Sequence, residues 1–173
     1  MTVPEFFRWV ENREARFELV RGVPVAMAPE RARHNLVKSN LLIALRNAWA
    51  SSGCTVFGDG MTVVIDEQTA YEPDAVVRCA QPLDLDATVV GHPELVVEVL
   101  SPSSKSVDSG AKLADYLSLP SVRHYLLADP TRKLVVHHRR GDADNVSTTI
   151  VRTGALELDE GRVIEVDEIF AGV

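Results

Sequence analysis

The sequence predicts an α+β domain with a central mixed β-sheet flanked by helices. Three observations predict it. Short apolar runs bounded by turn residues recur along most of the chain. Only two longer segments, 33–50 and 109–117, keep the three- and four-residue spacing of a packed helix. One run, Leu95-Val96-Val97-Glu98-Val99-Leu100, is apolar on both faces except at Glu98, as in a strand covered on both sides.

The elements follow in chain order. Thr2-Val3-Pro4-Glu5 has capping-box spacing with a proline in the first turn, which predicts a short helix to about Glu11. Strands over 17–20 and 23–27 flank a tight turn at Arg21-Gly22, and Pro24 places the second at a sheet edge. On the 33–50 helix, His34, Val37, Leu41, Ala44, Leu45 and Ala48 share one face, and Ser51-Ser52-Gly53 ends it. Strands are expected at 54–57, 61–65, 74–78 and 94–100, with 80–93 as a surface loop. Ser101-Pro102-Ser103-Ser104 leads into the second helix, capped by Asp108. Strands at 124–128 and 133–138 surround a turn at Asp129-Pro130-Thr131, and short strands near 147–152 and 163–166 close the chain.

A chain of 173 residues, 46% hydrophobic and 25% charged, fits one globular domain spanning 1–173 and excludes a disordered or fibrous protein. At this size folding buries roughly 70% of the exposed surface, so no disulfide or metal is needed merely to fold. The net charge of −7 argues against a protein that coats DNA. It leaves room for an enzyme that meets phosphates through a metal held by carboxylates. No apolar run approaches the ~20 residues that span a bilayer, and the N-terminus lacks a signal-peptide pattern. Cys54 and Cys79 lack Cys-x-x-Cys spacing and a second pair, so they are expected to be reduced thiols in a cytoplasmic protein.

The chemistry-bearing residues stand out against this frame. An ionised carboxylate at Glu98 costs several kcal/mol unless a cation or hydrogen bonds compensate. Asp74 follows Pro73 at the head of another strand; if the two strands are neighbours, both carboxylates reach one small volume. Such a pair repels unless a divalent cation lies between its members, and oxygen ligands favour Mg²⁺ or Mn²⁺ over zinc. Lys112, in the helix after the Glu98 strand, suits the orientation of a water or the stabilisation of a phosphorane-like charge. It also suits a surface pair with Asp108. Glu18 faces away from Phe17 and Leu19, and His34 opens the apolar stripe of its helix; each suits an accessory role, as an outer metal ligand or a phosphate contact, and equally an exposed strand glutamate or a helix-start histidine. His137 and His138 point to opposite strand faces and are expected at the surface.

These residues also carry a family likeness. Phe17-Glu18-Leu19-Val20-Arg21-Gly22, Met27-Ala28-Pro29 and His34, then Tyr71-Glu72-Pro73-Asp74, then Glu94 through Ser104 with Asp108, Lys112, Tyr116 and Asp129-Pro130, resemble the Uma-type restriction endonuclease family of the PD-(D/E)XK nuclease superfamily. The likeness runs from about Phe17 to Phe170. It implies a restriction-endonuclease-like fold, metal-dependent hydrolysis of DNA phosphodiesters and a homodimer. The superfamily lysine two positions after the glutamate is replaced here by Leu100, with Lys112 as its counterpart and Lys105 as the fallback. Asp74, Glu98 and the Val99 backbone carbonyl are the expected ligands of Mg²⁺ or Mn²⁺. Arg31, Arg33 and Lys38 suit either DNA phosphates or a solvated helix face. Two rivals share the same residues: a catalytically silent nuclease-fold binding or assembly module, and a metal-dependent hydrolase of another phosphate ester.

Overall fold

The computed structural model describes residues 1–80, 82–101, 108–142 and 145–173. Helix α1, Val3–Val10, starts where the Thr2 N–H donates to the Glu5 carboxylate at 2.7 Å. Strands β1, Phe17–Val20, and β2, Val23–Ala26, form a hairpin. Its two turn residues, Arg21 and Gly22, both take positive φ, the conformation that matches the twist of a two-residue hairpin. A Cβ on Gly22 would also press on the Met1 backbone at 3.1 Å. Helix α2, Ala32–Ala48, buries Val37, Leu41, Ala44 and Leu45, the stripe its spacing predicts.

The next strands alternate between two sheets. Strand β3, Thr55–Gly58, is followed by β4, Val63–Asp66, and β5, Thr69–Tyr71, then by β6, Ala75–Arg78, and β7, Pro93–Val99. Helix α3, Asp108–Ser118, returns the chain so that β8, His124–Asp129, lies parallel to β7. Strands β9, Leu134–Arg140, and β10, Val146–Val151, then add antiparallel. The result is a six-stranded mixed sheet ordered β10-β9-β8-β7-β6-β3 and a four-stranded sheet ordered β2-β1-β5-β4. A hairpin of β11, Ala155–Glu157, and β12, Val163–Glu165, leads into α4, Val166–Ile169.

The six-stranded sheet is the expected central mixed sheet, and Pro24 does lie on an edge strand. The smaller sheet is a finding, since β5 is only three residues long and falls between turn residues. On one face of the large sheet α2, α4 and the β11–β12 hairpin pack against Val77, Leu95, Val97 and Leu126. On the other, Val63 and Tyr71 from the small sheet meet Val76, Val96, Tyr116 and Tyr125. Tyr116 belongs to α3, so the small sheet and α3 cover that face together.

Three expectations are corrected. Cys54 and Cys79 are joined by a disulfide, with Cα atoms 4.1 Å apart. The register Thr55↔Arg78 sets them opposite each other at the end of the β3–β6 pair, which their separation in sequence conceals. The 80–93 segment is not wholly a surface loop: Val89 bridges Thr62 and Val90 is buried, although Leu85 is fully exposed. His137 is not at the surface. It is buried beside His124, their Nδ1 and Nε2 atoms 2.9 Å apart. His138 does project from the other face, where its ring stacks on Tyr125.

Candidate active site

The antiparallel register Ala75↔Val97 places Asp74, just before β6, against Glu98 near the end of β7. The Asp74 N–H donates to the Val97 carbonyl at 3.0 Å, and its Oδ2 accepts the Val99 N–H at 2.6 Å. Asp74 therefore closes the end of the ladder with its own side chain, and it is 8% exposed. Burial pushes its carboxyl above the ordinary value, against the opposing pull of His34 and the Val99 N–H.

Glu98 lies on the same sheet face as Val96 and Tyr116. Its Oε1 accepts from Lys112 Nζ at 3.1 Å and from the Tyr116 hydroxyl at 2.9 Å. One turn of α3 sets this pair, because residues 112 and 116 share a helix face. Lys112 Nζ also donates to Glu18 Oε1 at 2.9 Å, and the same oxygen accepts the Glu72 N–H at 3.0 Å. One ammonium thus serves two carboxylates from two different sheets. Burial raises the Glu98 carboxyl to about 7, the Lys112 attraction only partly offsetting it, with Glu18 and Asp74 adding repulsion. Lys112 moves the other way. Burial disfavours its charge, yet the two carboxylates outweigh that and hold it protonated above its ordinary range.

His34 reaches the same strand end from α2. Its Nε2 donates to the Val99 carbonyl at 2.9 Å and lies 3.6 Å from Asp74 Oδ2. Its buried Nδ1 has no hydrogen-bond partner among the described residues and faces Glu30 Oε2 at 3.7 Å. Glu30, His34 and Asp74 each bring a ligand atom within 4.8 Å of the others, a mixed nitrogen and oxygen set. Glu30 is a residue the sequence reading missed. The available signal was its position directly after Pro29 and four residues before His34.

The structure thus brings Asp74, Glu98, Lys112, Glu18, His34 and the Val99 backbone to one end of β6 and β7. Lys105 lies outside the described residues, as do Ser106, Val107 and the side chain of Asp108, so the Asp108–Lys112 pair does too. Lys38 belongs to neither a solvated helix face nor a free phosphate contact. It is buried, paired with Glu30 and, at 3.0 Å, with Asp59. Arg16 continues this chain by binding Asp59 and Glu72, each at 2.7 Å. Arg31 and Arg33 are exposed near the start of α2.

Comparison with known proteins gives this arrangement a context. A family model named Uma2, described as "putative restriction endonuclease", matches residues 3–173. The chain belongs to the Uma2 family. Two relatives, both proteins of Synechocystis sp. called uncharacterized, slr1290 and sll1609, are each 28% identical to it. The first alignment covers 98% of this chain and 90% of the relative, the second 90% of each. Among solved structures, a "putative nuclease belonging to DUF820" from Anabaena variabilis superposes with a TM-score of 0.77, covering 99% of this chain and 98% of that one. At 14% identity that likeness speaks for the fold. In this Uma2 chain the residue two after Glu98 is Leu100, and the cation beside Glu98 comes from α3 instead. No helix among the described residues is long and apolar enough to cross a membrane.

Proposed function

We propose that the protein is a divalent-metal-dependent endonuclease that hydrolyses phosphodiester bonds in DNA. The observation that carries this reading is the placement of Asp74 and Glu98 at adjoining strand ends, with Lys112 beside Glu98. Family membership supports it. The donor set fits a divalent cation: burial holds both carboxyls above their ordinary values, which is the response of anions short of positive charge.

Asp74, Glu98 and the Val99 carbonyl would hold Mg²⁺ or Mn²⁺, with His34 and Glu30 at the same strand end. The histidine nitrogen tilts the site toward Mn²⁺. A bound ion there would polarise the scissile phosphate and lower the pKa of a coordinated water. The chain's own residues do the rest. The Val99 N–H fixes the Asp74 carboxylate, and His34 orients the Val99 carbonyl. Tyr116 holds Oε1 of Glu98 through its hydroxyl. Lys112, kept protonated, acts as an electrostatic group for charge developing on the phosphate and not as a general base. Glu18 positions Lys112 from the small sheet. Two copies of the chain, as the family likeness implies, form the working unit, and the cytoplasm is the expected compartment.

The deciding experiment is Mg²⁺- and Mn²⁺-dependent cleavage of plasmid and single-stranded DNA, with Asp74→Ala and Glu98→Ala proteins prepared identically. Metal-dependent cutting lost in both variants is the expected result. Equal traces of cutting in all three proteins would overturn the nuclease reading. Metal binding without turnover on DNA would then favour a binding or assembly module, or a hydrolase of another phosphate ester.

A further inference from the structure

We infer that β10 is a self-pairing edge, joining two copies of this chain antiparallel about a two-fold axis through Thr148. The inference rests on the homodimer reading above and is independent of the nuclease reading.

Strand β10 ends the six-stranded sheet, paired with β9 on one side over six regular positions from Val146↔Arg140 to Val151↔Val135. Among the described residues no strand pairs with its other side. Proteins normally blunt such an edge with charge, proline, a bulge or a covering element. The other edges of the two larger sheets show these devices. Strand β2 carries Pro24, β4 breaks register between Val64 and Asp66, and β3 is four residues long with the disulfide at its end. Strand β10, Val-Ser-Thr-Thr-Ile-Val, carries no charge, proline or bulge, and no strand covers it among the described residues. It lacks a charged residue in a chain that is 25% charged, and Val146 through Ile150 are all exposed.

The pattern of these residues selects the occupant. Val146, Thr148 and Ile150 share one face of the sheet, beside Arg140, His138 and Val136 of β9. Val146 and Ile150 are 43% and 60% exposed, and they sit symmetrically about Thr148. A two-fold axis perpendicular to the sheet at Thr148 keeps each copy's faces aligned. It sets Val146 opposite Ile150 of the second copy, and the reverse, with Ser147 opposite Thr149. Each exposed apolar side chain then meets one of its own kind, and every paired residue has a β-branched or small side chain suited to a strand. Such an interface is isologous, the form a closed dimer requires. The two sheets would merge into one of twelve strands.

The test is sedimentation equilibrium over a concentration series, with circular dichroism to check folding. Wild type should sediment at twice the 19.0 kDa of one chain. Ile150→Lys, at an exposed position, should leave the monomer folded and weaken dimerisation by at least about tenfold. Val146→Lys alone should do the same. Combining Val146→Lys with Ile150→Glu sets opposite charges across the axis and should recover affinity to within about threefold of wild type. The two positions are too far apart along one strand to rescue each other within a copy. A wild-type dimer that both single variants leave intact would place the interface elsewhere and overturn the β10 assignment alone. A monomeric wild type would overturn this assignment and the homodimer reading together. Neither result bears on cleavage, which is assayed separately.

Discussion

Replacing Glu98 with glutamine removes one charge from a pair of carboxylates that share a single lysine. Oε1 of Glu98 accepts from both Lys112 and Tyr116, and the amide oxygen of glutamine can accept both in the same place. What the variant loses is the charge that burial disfavours. The Glu98 carboxyl lies at about 7 in the folded protein against an ordinary 4.5. The folded state therefore holds a proton across that window that the unfolded chain releases. Stability from this group is fully present below 4.5 and is lost as the pH rises through 7. The gap corresponds to about 3 kcal/mol. Glu98→Gln should accordingly stabilise the metal-free protein by about 2–3 kcal/mol at pH 8, a rise in Tm of about 5–10 °C, and leave it nearly unchanged at pH 4. Urea unfolding in EDTA at the two pH values measures the difference. If the variant is destabilised equally at both, Glu98 is a satisfied ion-pair partner of Lys112. The charge deficit that motivates a metal would then be absent.

Other perturbations test the surroundings of the site. Lys38→Met takes the ammonium from Glu30 and leaves Asp59 with Arg16 alone; both carboxylates are partly exposed, so the cost by thermal or urea unfolding should be about 1–2 kcal/mol, still more than an exposed lysine would give. Reducing the Cys54–Cys79 disulfide, which closes a segment of 25 residues, should lower stability by about 3 kcal/mol without altering the far-ultraviolet dichroism at 20 °C. Burial, with further repulsion from His124, brings His137 down to about 4. The unfolded chain takes up this proton first, so stability should decline as the pH falls from 6.5 toward 4; His137→Phe should flatten that part of the profile.

Several features of this site are local and so legible in the sequence. Glu98 interrupts a strand that is otherwise apolar on both faces, and a carboxylate in that position demands compensation wherever the strand goes. Lys112 and Tyr116 lie one helical turn apart on the next element, which is enough to bring both to the Glu98 end of β7. Pro24 marks an edge because it cannot donate to a second neighbour. What stays hidden depends on pairings distant in sequence. The disulfide requires the β3–β6 register, and nothing in the spacing of Cys54 and Cys79 reveals it. Lys38 looks like a solvated helix residue until Asp59, from the turn after β3, is brought against it. Glu30 is likewise an ordinary loop acid until His34 and Asp74 converge on it. Strand β5 is too short for alternation to show.

The tripeptide Glu72-Pro73-Asp74 joins the two sheets. Its first residue donates to Glu18 on the small sheet, and its last ties the end of the β6–β7 ladder through Val99. Because Lys112 bridges Glu18 to Glu98, the charged centre is complete only while both sheets are docked on α3. The small sheet and α1 form an apolar cluster around Phe6 and Leu19, but Val63 and Tyr71 also tie the small sheet to Val76, Val96 and Tyr116, so undocking it would open one face of the main core. The Lys112 bridge between Glu18 and Glu98 is therefore coupled to the packing of that core face. A chain with the small sheet undocked would carry all of these side chains and yet not assemble the charged centre.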